Sequence, residues 1–270
     1  MSGREHDLAT QVAIVTGASR GVGRAVAEAL SAAGASVALA ARSRRQLEEV
    51  ATGLERVLVA PTDVTDAAAV GALVEETERR LGPPTLLVSN AGAWRSAGPL
   101  WEADPAAWWE DVEVSLRGAF LCARAVLPGM LARGSGRVVN VSSYAANGPR
   151  PYASGYAAGK AAVLRLTDSL AAELGGTGVH AFAISPGFVR TELVGRVLRS
   201  PQGRRWLPEL AERQDALEPE RAGRLVVDIA SGRLDALAGR FLHVLDDVDD
   251  LAARAEEIRA RDLYALRMQT

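Results

Sequence analysis

The stretch VAIVTGASRGVG, residues 12–23, decides the fold. Its first five residues are β-branched or small and apolar, the composition of a buried strand. They run directly into a glycine turn, and the residues after Gly21 take up a helical pattern. Glycines at 17, 21 and 23 permit a tight turn and let backbone N–H groups approach a phosphate at a helix N-terminus. A glycine turn alone is weak evidence of a ligand. Placed between a first strand and a first helix, it points to a nucleotide site.

Outward from this unit the same alternation repeats. The pattern predicts strands at 36–41, 56–60, 85–89, 137–142, 179–185 and 240–245. Between them it predicts helices at 21–33, 44–52, 66–81, about 105–133, about 154–174 and 216–231. Asp66 and Asp104 suit N-caps, and Pro105 suits a first helical position. Strands separated by helices imply βαβ units and a parallel sheet covered on both faces. The expected fold is therefore α/β: a single doubly wound, Rossmann-like domain over residues 1–270, with a seven-stranded parallel sheet flanked by helices.

Two segments stand apart. Residues 187–215 carry Gly, Pro and several arginines, among them Arg190, Arg196, Arg199, Arg204 and Arg205, with weak periodicity, as expected of an irregular lid. Residues 248–268 read as an extra C-terminal helix, with Leu251, Ala255, Ile258 and Leu266 as its apolar stripe, serving the fold or an oligomer contact. Glu257 and Arg261 have i, i+4 spacing, and Arg267 suits the helix's negative end.

Composition excludes several function classes. The chain has 270 residues, 48% hydrophobic and 24% charged, with a net charge of −2. That balance fits a globular domain and leaves no basic footprint for nucleic acid. The single Cys122 excludes an internal disulfide, and His6, His180 and His243 are too scattered for a metal motif. No apolar run approaches ~18 residues, and the N-terminus lacks the apolar stretch of a secretory signal. A cytoplasmic location without membrane or nucleic-acid partners is expected.

One count points to chemistry. Of 31 basic residues, all but Lys160 are arginine. A lone lysine in such a chain marks a place where a compact ammonium serves and a planar guanidinium does not. Lys160 stands four residues after Tyr156 in a helical stretch, so the two share a face. A free tyrosine has a pKa of ~10, too high for acid–base work near neutrality. A neighbouring ammonium is expected to lower it.

These residues resemble the short-chain dehydrogenase/reductase family. Its Thr-Gly-x-x-x-Gly-x-Gly fingerprint is matched by residues 16–23, and Asn90-Ala91-Gly92 matches its second motif. Tyr156 and Lys160 match its Tyr-x-x-x-Lys motif, Ser143 lies at the usual interval before Tyr156, and Pro186-Gly187 followed by Thr191 matches its nicotinamide turn. The likeness runs from about Leu8 to Leu245.

The resemblance implies a catalytic set of Ser143, Tyr156 and Lys160. Ser143 would polarise a substrate carbonyl, Tyr156 would exchange the proton, and Lys160 would also bind the nicotinamide ribose. Ser142 is the rival serine, and the interval favours Ser143. The family carries an asparagine where this chain has Ser115, so Ser115 is a candidate fourth member with a shorter reach in the proton relay.

For the cofactor, the resemblance implies contacts from Gly17, Ser19, Arg20, Gly21, Val22, Gly23, Asn90, Ala91, Gly92, Pro186, Gly187, Val189 and Thr191. Asp63 and Val64 would meet the adenine. The end of the second strand is Ala41, not the acid that binds a ribose 2′-hydroxyl in NAD sites, and Arg42 follows at once. Arg20 and Arg42 without a carboxylate favour a 2′-phosphate, hence NADP(H) over NAD(H).

Trp94, Arg95, Tyr144, Asn147, Arg150, Phe188 and Trp206 fall where the family binds substrate, and aromatic walls suit a bulky ketone. The expected activity is NADPH-dependent reduction of a carbonyl substrate to an alcohol. Alcohol oxidation, epimerisation or a non-catalytic NADP(H) sensor are the alternatives. Family members are usually dimers or tetramers built on two long helices, here 105–133 and 154–174, so a homodimer or homotetramer is expected.

Overall fold

The computed structural model describes residues 7–267. Seven strands form one sheet: β1 Val12–Thr16, β2 Ser36–Ala41, β3 Val57–Pro61, β4 Leu86–Ser89, β5 Gly136–Val141, β6 Val179–Ser185 and β7 Phe241–His243. Their order is β3-β2-β1-β4-β5-β6-β7, and the paired strands all run parallel. The chain reverses its direction of travel across the sheet between β1 and β4. In a doubly wound sheet, ligands bind beyond the C-terminal strand ends at such a switch point.

Period-two alternation divides the core between the two faces. Val15, Leu39, Val88, Val139 and Ile184 pack with Val26 and Leu30 of helix Gly21–Ala32 and with Val226 and Ile229 of helix Glu220–Ala230. Ile14, Leu58, Leu87, Val138 and Ala181 face the other way, against helices Ala67–Leu81, Pro105–Arg133 and Ser154–Glu173. Burying each large aliphatic side chain contributes about 1.5–3 kcal/mol. Asp66 and Asp104 cap their helices as the sequence suggests, each accepting backbone N–H bonds.

The structure corrects the sequence reading at several elements. The long helix is not uniform: residues Glu113–Arg117 form one π-turn between two α-helical segments. Helix Glu220–Ala230 starts later than expected, because Pro219 occupies its N-cap. The 187–215 segment is no irregular loop but holds three short helices, Glu192–Arg199, Pro201–Trp206 and Glu209–Glu212. They fold over an apolar cluster of Val194, Val197, Leu207 and Leu210.

The C-terminal segment is likewise two short helices, Val248–Ala253 and Ala255–Ala260, with a break at Arg254. Leu251, Ala255 and Ile258 are buried in the main core, so this stripe stabilises the fold. Leu266 is partly buried, and its carbonyl accepts from Arg165. The Glu257–Arg261 pair forms at 2.7 Å. Arg267 bridges Asp168 and Asp262 and does not close the helix. Met268 and His6 lie outside the described residues.

Candidate active site

A cleft of about 1440 Å³ opens above the C-terminal strand ends. The glycine turn forms its floor. Gly17 turns at φ +64°, and a Cβ there would lie 2.8 Å from Asn90 Nδ2. A Cβ at Gly23 would collide with the same nitrogen and with the Gly17 carbonyl, so Gly23 packs beneath the cleft and does not line it. Asn90 Nδ2 donates to the carbonyls of Thr16 at 2.9 Å and Gly17 at 3.3 Å. The N–H groups of Asn90 and Ala91 donate to Thr16 Oγ1 at 3.0 and 3.1 Å. These bonds fix the end of β4 to the end of β1. Helix Gly21–Ala32 has no side-chain cap, and Gly21 and Val22 of its first turn line the cleft. An uncapped helix N-terminus facing a cleft fits a phosphate group.

Ser19, Arg20, Arg42, Asp63 and Val64 line the far end of the cleft, and β2 ends in Ala41 as read. Asp63 accepts from the Thr65 N–H at 2.9 Å and hydroxyl at 2.7 Å. Those bonds, helped by the Arg42 charge, hold its carboxyl below the usual range. Ala91, Gly92, Pro186, Gly187, Val189 and Thr191 line the middle. Thr191 also caps helix Glu192–Arg199.

Tyr156 and Lys160 lie one turn apart on helix Ser154–Glu173. Lys160 is buried, its Nζ donates to the Val141 carbonyl at 2.8 Å and stands 5.9 Å from the Tyr156 ring centroid. Ser142 and Ser143 have different roles. The Ser142 hydroxyl donates to the Lys160 carbonyl at 2.9 Å, which ties β5 to the helix. The Ser143 hydroxyl accepts from the Ala145 N–H at 3.2 Å and hydrogen-bonds the Tyr156 phenol.

The expected lowering of the Tyr156 pKa is not what this site produces. Burial pushes the phenol up, and the charge of Asp111 adds to this, against the opposing Ser143 bond. Burial also lowers Lys160 to about 8, so desolvation dominates both groups. The phenol is thereby held in its protonated, proton-donating form.

Ser115 sits buried in the π-turn, its hydroxyl without a partner among the described residues. It and Lys160 Nζ both lie near Gly92: a Cβ there would lie 3.8 Å from Ser115 Oγ and 3.3 Å from Nζ. Ser115 does not line the cleft and makes no bond to Lys160.

The substrate end is aromatic. Trp94 stacks on Tyr156 with centroids 4.7 Å apart, and Tyr152 packs on Trp206 at 4.9 Å. Phe188 lines the wall beneath Arg213. Tyr144 packs edge-on against His243 at 5.4 Å. Arg95 and Arg150 line the rim, while Asn147 is exposed and outside the cleft. Of the five lid arginines named above only Arg196 lines the cleft, and Arg213 of the same segment lines it too. Arg190 bonds the Arg213 carbonyl, Arg199 pairs with Glu192, Arg204 bonds the Arg199 carbonyl and Arg205 lies over Trp206. Sequence reasoning named Arg196 without setting it apart from the other four, and it missed Arg213. It also missed His243 and the buried Asp111, which nothing local distinguishes, whereas Tyr152 lines the cleft as expected of a pocket-shaping tyrosine.

The fold and site together define an oxidoreductase of the nicotinamide-nucleotide class. The short chain dehydrogenase family model matches residues 11–201, and the chain belongs to that family. It is 39% identical over 264 residues to the short chain dehydrogenase mpl6 of Monascus purpureus, covering 94% of this chain and 87% of that protein. An actinorhodin polyketide ketoreductase structure with NADPH matches with a TM-score of 0.78 at 29% identity, covering 87% of this chain and 95% of that one. A gluconate 5-dehydrogenase of Burkholderia cenocepacia, in complex with NADP and tartrate, also gives 0.78, at 31% identity, covering 88% and 95%.

Proposed function

We propose that the protein reduces a bulky ketone to an alcohol with NADPH, using Tyr156 as the proton donor. The observation that carries this reading is the convergence of Ser143, Tyr156 and Lys160 on one end of a cleft whose other end holds Arg20 and Arg42 with no carboxylate on β2. The glycine turn and the uncapped helix fit the pyrophosphate, and Arg20 and Arg42 fit a 2′-phosphate by charge-assisted hydrogen bonds. NADPH-bound and NADP-bound relatives support the same choice.

When bound, the cofactor supplies a hydride to the carbonyl carbon. The protein's residues handle the oxygen. Ser143 donates a hydrogen bond to it and so polarises the carbonyl. Tyr156, held protonated by burial, gives it a proton as negative charge develops there. Lys160 holds a positive charge beside the phenolate that results and binds the ribose. Trp94, Phe188 and Trp206 bury the apolar body of the substrate and exclude water.

NADPH consumption by the purified protein, tested against aliphatic, aromatic, polycyclic and thioester-bound ketones with NADH in parallel, checks the reading. Turnover with NADPH well above NADH is expected, with loss of about 10²–10⁴-fold in Tyr156→Phe. Faster turnover with NADH overturns the cofactor assignment.

A further inference from the structure

Asp111 is wholly buried on the long helix Pro105–Arg133, and its carboxylate meets the loop that leaves β4. One oxygen accepts the Arg95 N–H. The other accepts the Ser96 N–H at 3.0 Å and the Ser96 hydroxyl at 2.6 Å. The preceding residue is Trp94. Its indole N–H donates to the Ser96 carbonyl at 3.1 Å, and its ring lies 14° from parallel with the Tyr156 ring. The helix that carries Tyr156 packs on the same clamp, for a Cβ on Gly155 would lie 2.9 Å from Ser96 Oγ.

A carboxylate withdrawn from water costs several kcal/mol unless hydrogen bonds replace its hydration. Here three donors replace it, and two are backbone groups of one loop. The carboxylate therefore fixes that loop, and the loop fixes Trp94. We propose that Asp111 is a positioning residue for Tyr156: it clamps residues 95–96 so that Trp94 stays stacked on the phenol ring, sets its plane and keeps water from its face. This rests on the reading of Tyr156 as the proton donor. The charged groups around the phenol are Lys160 on its own helix and Asp111 on the long helix, with Glu110 next to Asp111. The Ser143 hydroxyl approaches from the end of β5.

The test combines kcat with a titration of Tyr156 that needs no turnover. The titration is the ultraviolet phenolate signal of each protein minus that of its Tyr156→Phe counterpart. Trp94→Ala is expected to lower kcat by about 10–100-fold, the cost of a misplaced reacting group. Its NADPH dissociation constant should stay within about two-fold of wild type, because Trp94 lies at the substrate end, and its phenol should ionise at lower pH as water reaches it. Trp94→Phe, which keeps a stacking ring, should recover most of the lost rate.

Asp111→Asn places an N–H₂ against backbone N–H donors and so releases the loop. Its kcat should fall like that of Trp94→Ala, and the double variant should fall no further than Trp94→Ala alone. If Asp111→Asn does not fold, Ser96→Ala takes its place. It keeps the charge, removes one bond, and should shift rate and titration in the same direction by less.

Losses that multiply in the double variant overturn the proposal. So does a Trp94→Ala protein whose phenol ionises at the wild-type pH. A wild type that reduces no ketone would count against the reductase reading instead, and the titration would still decide on the clamp.

Discussion

Lys160 Nζ donates to the carbonyl of Val141, the last residue of β5, at 2.8 Å, two residues before Ser143. One bond thus sets the depth of the ammonium below the phenol and ties it to the strand end that presents the serine. Gly92 lies close by, where even a Cβ would come within 3.3 Å of Nζ. A planar guanidinium is wider and reaches further. Lys160→Arg should therefore keep the charge and still lower kcat by about 100-fold or more, since reacting groups misplaced by an ångström lose that much. Steady-state rates on the best ketone, beside a circular dichroism melt, check this.

The same burial predicts a pH-dependent stability. Folding lowers Lys160 from 10.5 to about 8. Below about pH 8 both states hold the proton, and the folded state bears the full cost of a buried ammonium. Between about 8 and 10.5 the unfolded chain holds a proton that the folded chain has shed. Unfolding then takes up a proton, and stability rises with pH. A change of this size corresponds to something on the order of 3 kcal/mol, at about 1.4 kcal/mol per pKa unit. Denaturant unfolding of wild type and Lys160→Met across this range should show the wild type gaining on the variant as pH rises. A constant difference between them would contradict it.

The cofactor end offers a charge-reversal test. Arg42 lies at the end of β2 and acts on Asp63 through its charge. A hydrogen bond to a charged group contributes about 1.5–3 kcal/mol, or roughly 10–100-fold in affinity. Arg42→Asp should weaken NADPH binding by that factor, strengthen NADH relative to it, and flatten the salt dependence of NADPH binding. Fluorescence titration of the two nucleotides at low and high salt measures all three.

How legible the site was depended on whether its signal was local. The glycine turn, Asn90 and the Tyr156–Lys160 pair are fixed by short-range spacing, and the sheet follows from β-branched runs whose alternate residues, such as Ile14 and Val15, serve opposite faces. The lid was illegible because its helices span eight, six and four residues, too short to show a period. The C-terminal stripe was read correctly as apolar, but Arg254 breaks the helix, a distinction set by packing on the core. Asp111, flanked by Glu110 and Glu113, looks like part of a solvated acidic face. Only the loop after β4, folding back on the helix, buries it. The Tyr156 pKa failed for the same reason: the ammonium was visible in the sequence, and the desolvation that outweighs it was not.

The long helix also leaves two large apolar side chains exposed, and a second copy of the chain is the partner we expect to cover them. Phe120 and Leu131 are 48% and 44% exposed and lie eleven residues apart within Gly118–Arg133. Eleven residues make almost exactly three helical turns, so both side chains stand on one face. A two-fold axis beside this face would set it against its own copy and cover four large side chains at once. Each contributes about 1.5–3 kcal/mol when removed from water. Phe120→Glu combined with Leu131→Glu would instead place four carboxylates in that contact. Sedimentation equilibrium should show wild type as a dimer or tetramer and the double variant dissociating at concentrations at least about 1000-fold higher, a shift of roughly 4 kcal/mol. The double variant should keep its NADPH affinity, because neither residue lines the cleft. A monomeric wild type, or a double variant that assembles as tightly as wild type, would remove this face from the interface.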